Sequence, residues 1–207
     1  DNPRKLLVTE DVYLEALFEQ DKPIDAIDIK KKYPGFNQWF LDAQNDNTNA
    51  YIADNEMVIN IEGDGQYPWD ERLTCFFQGQ DGQTEDNYFK LEFEIMWEGA
   101  NEDAGFMISA TQDISAYDVN WNGVKGLDPS LNKAPEWDPY TIPANTWKSF
   151  EWGGIINAIG KEYIGINFEL TGLQENEKLI PNGKGTFHIR NMKVLINDKT
   201  VLTGFNY

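Results

Sequence analysis

The sequence predicts an all-β fold: a two-sheet antiparallel jelly-roll β-sandwich carrying a short N-terminal extension. Three observations predict it. Strict alternation of apolar and polar residues recurs along most of the chain after residue 56. Between those runs lie turn clusters rich in Gly, Asn and Asp, such as "EGDGQYP", "GQDGQTEDN", "EGANEDAG" and "TGLQENEKLIPNGKG". No strand–helix–strand alternation is present, which argues against a parallel α/β sheet.

The elements follow in order. Residues 1–32 read as an N-terminal extension or linker, and 33–207 as the jelly-roll domain. Within the extension, "TEDVYLEALFEQ" fits a short helix capped by Thr9 with Val12, Ala16 and Leu17 inward, and fits a strand or connector equally well. "KKKYPGF" closes it with a turn. "EMVINIEG" alternates Met57, Ile59 and Ile61 against Glu56, Val58 and Asn60. "NYFKLEFEIMW" places Phe89, Leu91, Phe93, Ile95 and Trp97 on one face and Lys90, Glu92 and Glu94 on the other. Phe106, Ile108 and Ala110 share a face of the next strand, Phe150 and Trp152 follow in "KSFEW", and Ile164, Ile166, Phe168 and Leu170 align in "YIGINFELTG". The last strand, "GTFHIRNMKVLIND", begins with Phe187 and Ile189 inward and ends with Val194 and Ile196 inward. That change of phase requires one inserted residue, and predicts a β-bulge near Arg190–Met192.

One stretch fits neither period. "NKAPEWDPYTIPANTW", residues 132–147, holds three prolines, two tryptophans and Tyr140, and reads as an irregular, exposed loop. Large rings on such a loop invite a partner from solution. Trp121, Trp137 and Tyr140 fall in the longest irregular region, and Tyr67 with Trp69 in a second loop. A sugar ring presents an apolar C–H face, which an indole covers well, and a belt of hydroxyls, which Asn, Gln, Asp and Glu satisfy. "DVNWNG" and "PEWDPY" both set Trp beside such groups. The competing explanation is that some of these rings plug the ends of the sandwich.

Composition excludes several classes of function. Seventeen basic residues against 35 acidic give a net charge of −18, a surface that repels phosphates and makes nucleic acid and anionic membranes poor partners. No stretch approaches the ~20 apolar residues of a membrane-spanning helix. The single cysteine, Cys75, lies in the apolar run Leu73–Phe77 and reads as a buried, inert thiol. The single histidine, His188, should face opposite Phe187 and Ile189, so a Ser or Cys nucleophile lacks its usual base and a histidine-rich metal site is ruled out. "GDGQYP" lacks the lysine and helix of a phosphate-binding loop. Paired carboxylates are the one catalytic option left. Glu92 and Glu94, at i and i+2 and about 7 Å apart, also fit an ordinary solvated face.

The motifs resemble those of carbohydrate-binding modules of families four, nine and twenty-two, as found in glycan-degrading systems of gut Bacteroidetes. "PWDERLTCFF", "YFKLEFEI", "TWKSFEW" and "FHIRNMKV" stand in the order of the corresponding family strands, over residues 36–198. The resemblance implies a jelly-roll, non-catalytic glycan binder with its ligand in a cleft or on a concave sheet face between aromatic walls. It places Trp69 at a family Trp-Asp position that is often structural. Two departures stand out: Arg190 replaces the usual aspartate of the last motif, and 120–147 is long. The resemblance also implies a structural Ca2+. Oxygen ligands are on offer in 42–50 and 62–65, and the metal ligands themselves stay open.

The expectation is therefore polysaccharide binding, with a β-linked plant glycan such as xylan preferred through the resemblance alone. Trp121, Trp137 and Tyr140 would stack sugar rings. Glu92, Glu94, Gln112 and Asn167 would read hydroxyls, with Trp69 a weaker member of the set. Such a domain would be extracellular or at the cell surface, any leader lying outside this sequence, beside a linked or co-located glycoside hydrolase. Two alternatives stay open: a glycoside hydrolase or lyase on the same scaffold, and a protein-interaction domain of a surface complex.

Overall fold

A computed structural model describes residues 22–29, 35–43, 47–62, 71–78, 84–99, 103–111, 124–127, 130–131, 140–156, 163–170, 172–175, 178–181 and 184–206. Among these there is no helix, and fifteen strands follow one another. They are β1 (Ile27–Asp28), β2 (Trp39–Ala43), β3 (Asn49–Ala53), β4 (Glu56–Glu62), β5 (Glu71–Gln78), β6 (Asn87–Gly99), β7 (Asp103–Thr111) and β8 (Val124–Leu127). Then come β9 (Tyr140–Pro143), β10 (Lys148–Ile156), β11 (Tyr163–Glu169), β12 (Gly172–Glu175), β13 (Lys178–Pro181), β14 (Lys184–Ile196) and β15 (Lys199–Thr203).

Two antiparallel sheets form a jelly-roll β-sandwich. The larger runs β1-β3-β4-β14-β6-β10-β8, with β15 added beside β14; the smaller runs β2-β5-β11-β7-β9. β12 and β13 make a separate hairpin that packs beside β7. The inner rows are those that alternation predicted: Met57, Ile59 and Ile61 from β4, Phe89 to Trp97 from β6, and Ile164, Ile166 and Phe168 from β11 all lie in one core. Aromatic pairs bridge the sheets. Phe93 of β6 meets Phe168 of β11 edge-on at 5.0 Å between ring centres, and Phe77 of β5 meets Phe89 of β6 at 5.6 Å. Such edge-to-face pairs add about 0.5–1.5 kcal/mol to the area they bury. Cys75 is fully buried among them, and burial pushes its thiol pKa up, so it is inert at neutral pH.

The predicted bulge is present. Arg190 pairs with Glu94 and Lys193 with Glu92, so three steps along β14 match two along β6, and Asn191 takes φ 55°. Phe187 and Ile189 point inward before it, Met192 and Val194 after it.

Two differences from the sequence reading concern the chain's irregular parts. The end of the supposed extension belongs to the larger sheet: β1 pairs with β3, and Ile29 sits in the core. The helix-like stretch before it lies outside the described residues. The proline-rich stretch is not loop throughout. Residues 140–143 form β9, an edge strand paired with β7, in which Tyr140 and Ile142 point inward while Pro143 ends the pairing.

Trp97 shows how tightly the core is fitted. Its indole is fully buried, lies 4.8 Å from the Phe187 ring, and passes over the paired glycines Gly99 and Gly185. A Cβ on either glycine would overlap the indole.

Candidate functional site: a polar row on the five-stranded sheet

The smaller sheet has a polar row on the face turned away from the core. Register aligns Asp42, Arg72, Glu169 and Met107 across β2, β5, β11 and β7, and next to them Phe40, Thr74, Asn167 and Ser109. Alternation dictates this, since Leu41, Leu73, Cys75, Ile166 and Phe168 take the inner positions. The outward residues are nevertheless covered: Asn167 and Glu169 are each 1% exposed. That explains why β5 and β11 are apolar or satisfied on both faces, and Phe40 and Phe76 stack at 5.8 Å beside the row.

The row is a directed hydrogen-bond chain. Thr74 Oγ1 donates to Asn167 Oδ1 at 2.8 Å, Asn167 Nδ2 donates to Ser109 Oγ at 3.1 Å, and Ser109 Oγ donates to Glu169 Oε1 at 2.5 Å. Each member's lone pair or proton is used in one sense, so the chain ends at the carboxyl group. Glu169 Oε2 is buried and has no hydrogen-bond partner among the described residues. Burial raises the Glu169 pKa, while the Ser109 bond and the nearby Arg72 charge pull it down. Arg72 is itself paired with Asp42.

The other predicted residues fall elsewhere. Glu92 and Glu94 lie on the outer face of the larger sheet, on the opposite side of the sandwich from Asn167. Their carboxylates are engaged by cations. Glu92 bonds Lys90 Nζ at 2.9 Å and Lys193 Nζ at 3.4 Å, and Glu94 accepts from Arg190 Nε at 2.5 Å and Asn191 Nδ2 at 3.1 Å. Those bonds hold both carboxylates below the usual range: for Glu92 the Lys90 hydrogen bond is the main cause, for Glu94 that of Arg190. Arg190 in turn lies over the Trp147 ring, 3.9 Å from its centre. His188 lies on this face as expected, beside Glu56 and 3.5 Å from Glu98. One ligand cannot touch Asn167 and this pair together.

Tyr140 is corrected. It is a strand residue 8% exposed, stacked on Phe106 at 5.2 Å and edge-on to Phe150 at 5.5 Å, so its ring is core and offers no face to a sugar. Trp69, Gln112, Trp121 and Trp137 lie outside the described residues. Sequence reasoning missed Ser109, Glu169 and Arg72, although "RLT" and "NFE" carry the alternating signal that puts Arg72 beside Thr74 and Glu169 beside Asn167. Among the described residues no three His, Cys, Asp or Glu side chains cluster as metal ligands. Asp42, within one suggested calcium segment, is taken by Arg72. Arg190, where the motif would have aspartate, brings a positive charge already paired with Glu94, so neither residue fits a calcium centre.

No protein-family model and no curated protein matches the chain. Among solved structures, one described as "CBM4 structure and function" is 12% identical over 84% of this chain and 96% of its own, with a TM-score of 0.49. The CBM22-2 xylan-binding domain from Paenibacillus barcinonensis Xyn10C is 10% identical over 82% of this chain and 96% of its own, at 0.45. The enzymatically active domain of tailspike protein 4 from bacteriophage CBA120 is 14% identical over 81% of this chain but only 20% of its own, at 0.37. Families four and twenty-two are two of the three that the sequence motifs resemble. Likenesses this distant carry no argument about function, and the sandwich assignment rests on the strand pairings above.

Proposed function

We propose that this protein is a non-catalytic carbohydrate-binding domain whose polysaccharide ligand meets the outer face of the five-stranded sheet. The observation that supports it most is the row of polar side chains across that face, Asp42 and Arg72 beside Thr74, Asn167, Ser109 and Glu169, whose hydrogen bonds fix their orientation. Asp42, partly exposed at the edge of the row, would meet a ligand hydroxyl, and the buried chain from Thr74 to Glu169, with Asn167 at its centre, holds the row in place behind it. Trp121 and Trp137 remain the rings proposed to stack sugars, with Gln112 and Trp69 beside them. A neutral glycan suits a protein of net charge −18. Within that class we propose a β-linked plant glycan, xylan before glucan, bound outside the cell or at its surface. Holding the polysaccharide there raises its effective concentration for a linked or co-located glycoside hydrolase.

Native affinity electrophoresis against xylan, mixed-linkage glucan, mannan, pectin and starch tests this reading. Retardation by one β-glycan, weakened in Asn167→Ala and in a Trp121→Ala/Trp137→Ala variant, is the expected result. Free migration on every gel overturns it and leaves the protein-interaction alternative. Repeating the gels with chelator tests for a bound Ca2+ drawing on ligands in 42–50 or 62–65.

One observation favours a second reading. Asp42 and Glu169 flank Arg72 in a single row, two strands apart and so about 10 Å between Cα atoms. Burial makes Glu169 the better proton donor of the two. An inverting glycosidase needs two carboxyl groups on either side of the scissile bond, and reducing-sugar release from a retarding polysaccharide would favour that reading over simple binding.

A further inference from the structure

We propose a second saccharide site, independent of the sheet-face row, in the groove at the end of the sandwich where β5 stops and β6 starts. It would take one or two rings of a neutral sugar. The groove has a volume of about 740 Å³, lies between the end of β5, the start of β6 and the β14–β15 hairpin, and falls within the size range of small-ligand pockets.

Its walls supply both kinds of contact that a sugar needs. Ile196 and Val201 give the apolar side. Val201 is 39% exposed and is one of three large hydrophobic residues left exposed among those described. Opposite them stand side-chain amides. Asn197, held at φ 48° in the hairpin turn, accepts the Tyr88 N–H at Oδ1 and donates from Nδ2 to Asn87 Oδ1, both at 2.8 Å. Those bonds lock the two amides in one orientation before any ligand arrives. Gln78 and Thr84, exposed at the rim, add an amide and a hydroxyl. Glu85, Asp86 and Lys199 complete the lining with two negative charges and one positive, a balance that turns away anionic ligands. Gln78 and Thr74 lie on the same strand, so the groove and the polar row are joined through β5 without sharing a contact residue.

The test is a titration followed by amide chemical shifts, with xylohexaose, cellohexaose, mannohexaose and maltohexaose as probes. At least one of them should give saturable shifts at residues 84–87 and 196–201. A Gln78→Ala/Val201→Asp variant, with an unchanged melting temperature, should weaken that event by about tenfold or more. Asn167→Ala should leave it intact, which separates failure of this site from failure of the sheet-face reading. The proposal is overturned if no probe moves those amides, if the double variant binds as tightly as the natural chain, or if Asn167→Ala abolishes the shifts.

Discussion

The guanidinium of Arg190 lies 3.9 Å from the centre of the Trp147 ring while its Nε donates to Glu94 at 2.5 Å. One cation thus ties the start of β10 to β14 and β6 on the outer face of the larger sheet. A double-mutant cycle between Trp147→Ala and Arg190→Ala should return a coupling of about 0.5–1 kcal/mol, the usual size of an exposed cation–π contact. Urea denaturation of the four proteins measures it, and a coupling near zero would mean that the ring and the cation act separately.

Gly99 and Gly185 leave room for the Trp97 indole, so a methyl at either position forces the ring or the sheet to move. Gly185→Ala should cost about 1–3 kcal/mol, the range for overpacking a well-filled core. Trp97→Leu made in the Gly185→Ala background should cost less than it does in the natural chain. Additive losses in the two backgrounds would show that the clash is not with the indole.

Burial raises the Glu169 pKa, so the native protein keeps this proton at pH values where the unfolded chain has released it. The stability this gives is complete below the unfolded value, about 4.3, and is lost as pH rises through the native one. Glu169→Gln removes that loss, and its advantage over the natural chain should therefore grow as pH rises above the unfolded value. Glu92 and Glu94 act in the opposite sense: their lowered pKa values favour folding above the unfolded value, and the gain disappears as pH falls through the native one. Urea midpoints taken on both sides of the unfolded carboxylate value check both signs, and a constant gap between Glu169→Gln and the natural chain would contradict the first.

Tyr140→Ala should destabilise the fold by about 3–5 kcal/mol, as expected for emptying a buried aromatic site. Tyr140→Phe, which keeps the ring against Phe106 and Phe150, should cost far less and leave glycan binding unchanged. If Tyr140→Phe folds normally but loses retardation on the gel, the hydroxyl contacts the ligand after all.

The fold was readable from the sequence wherever alternation was long. β6 declares its inner face over five apolar positions, and the change of phase in "FHIRNMKVLI" located the bulge at Asn191, because an inserted residue has no other effect on a period of two. β9 was missed for a physical reason. Three residues between prolines give only two inward positions, Tyr140 and Ile142, too few to outweigh the turn chemistry around them. The candidate site was legible only in part. Alternation tells which residues of one strand share a face, but says nothing about which sheet the strand joins. Glu94 and Asn167, both outward on their own strands, end on opposite sides of the sandwich for that reason. The Ser109–Glu169 bond depends on the pairing of β7 with β11, which no local pattern encodes.

β14 stands between β4 and β6 through its first half, and between β15 and β6 through its second. The residues it joins are far apart in the chain: Arg190 and Glu94 by 96 positions, His188 and Glu56 by 132. As the polypeptide leaves the ribosome, β4 and β6 therefore wait with a vacant lane between them until 184–196 have been made. Through that interval the backbone edges facing the lane have no native partner, so the larger sheet closes only when its last well-buried strand has been made.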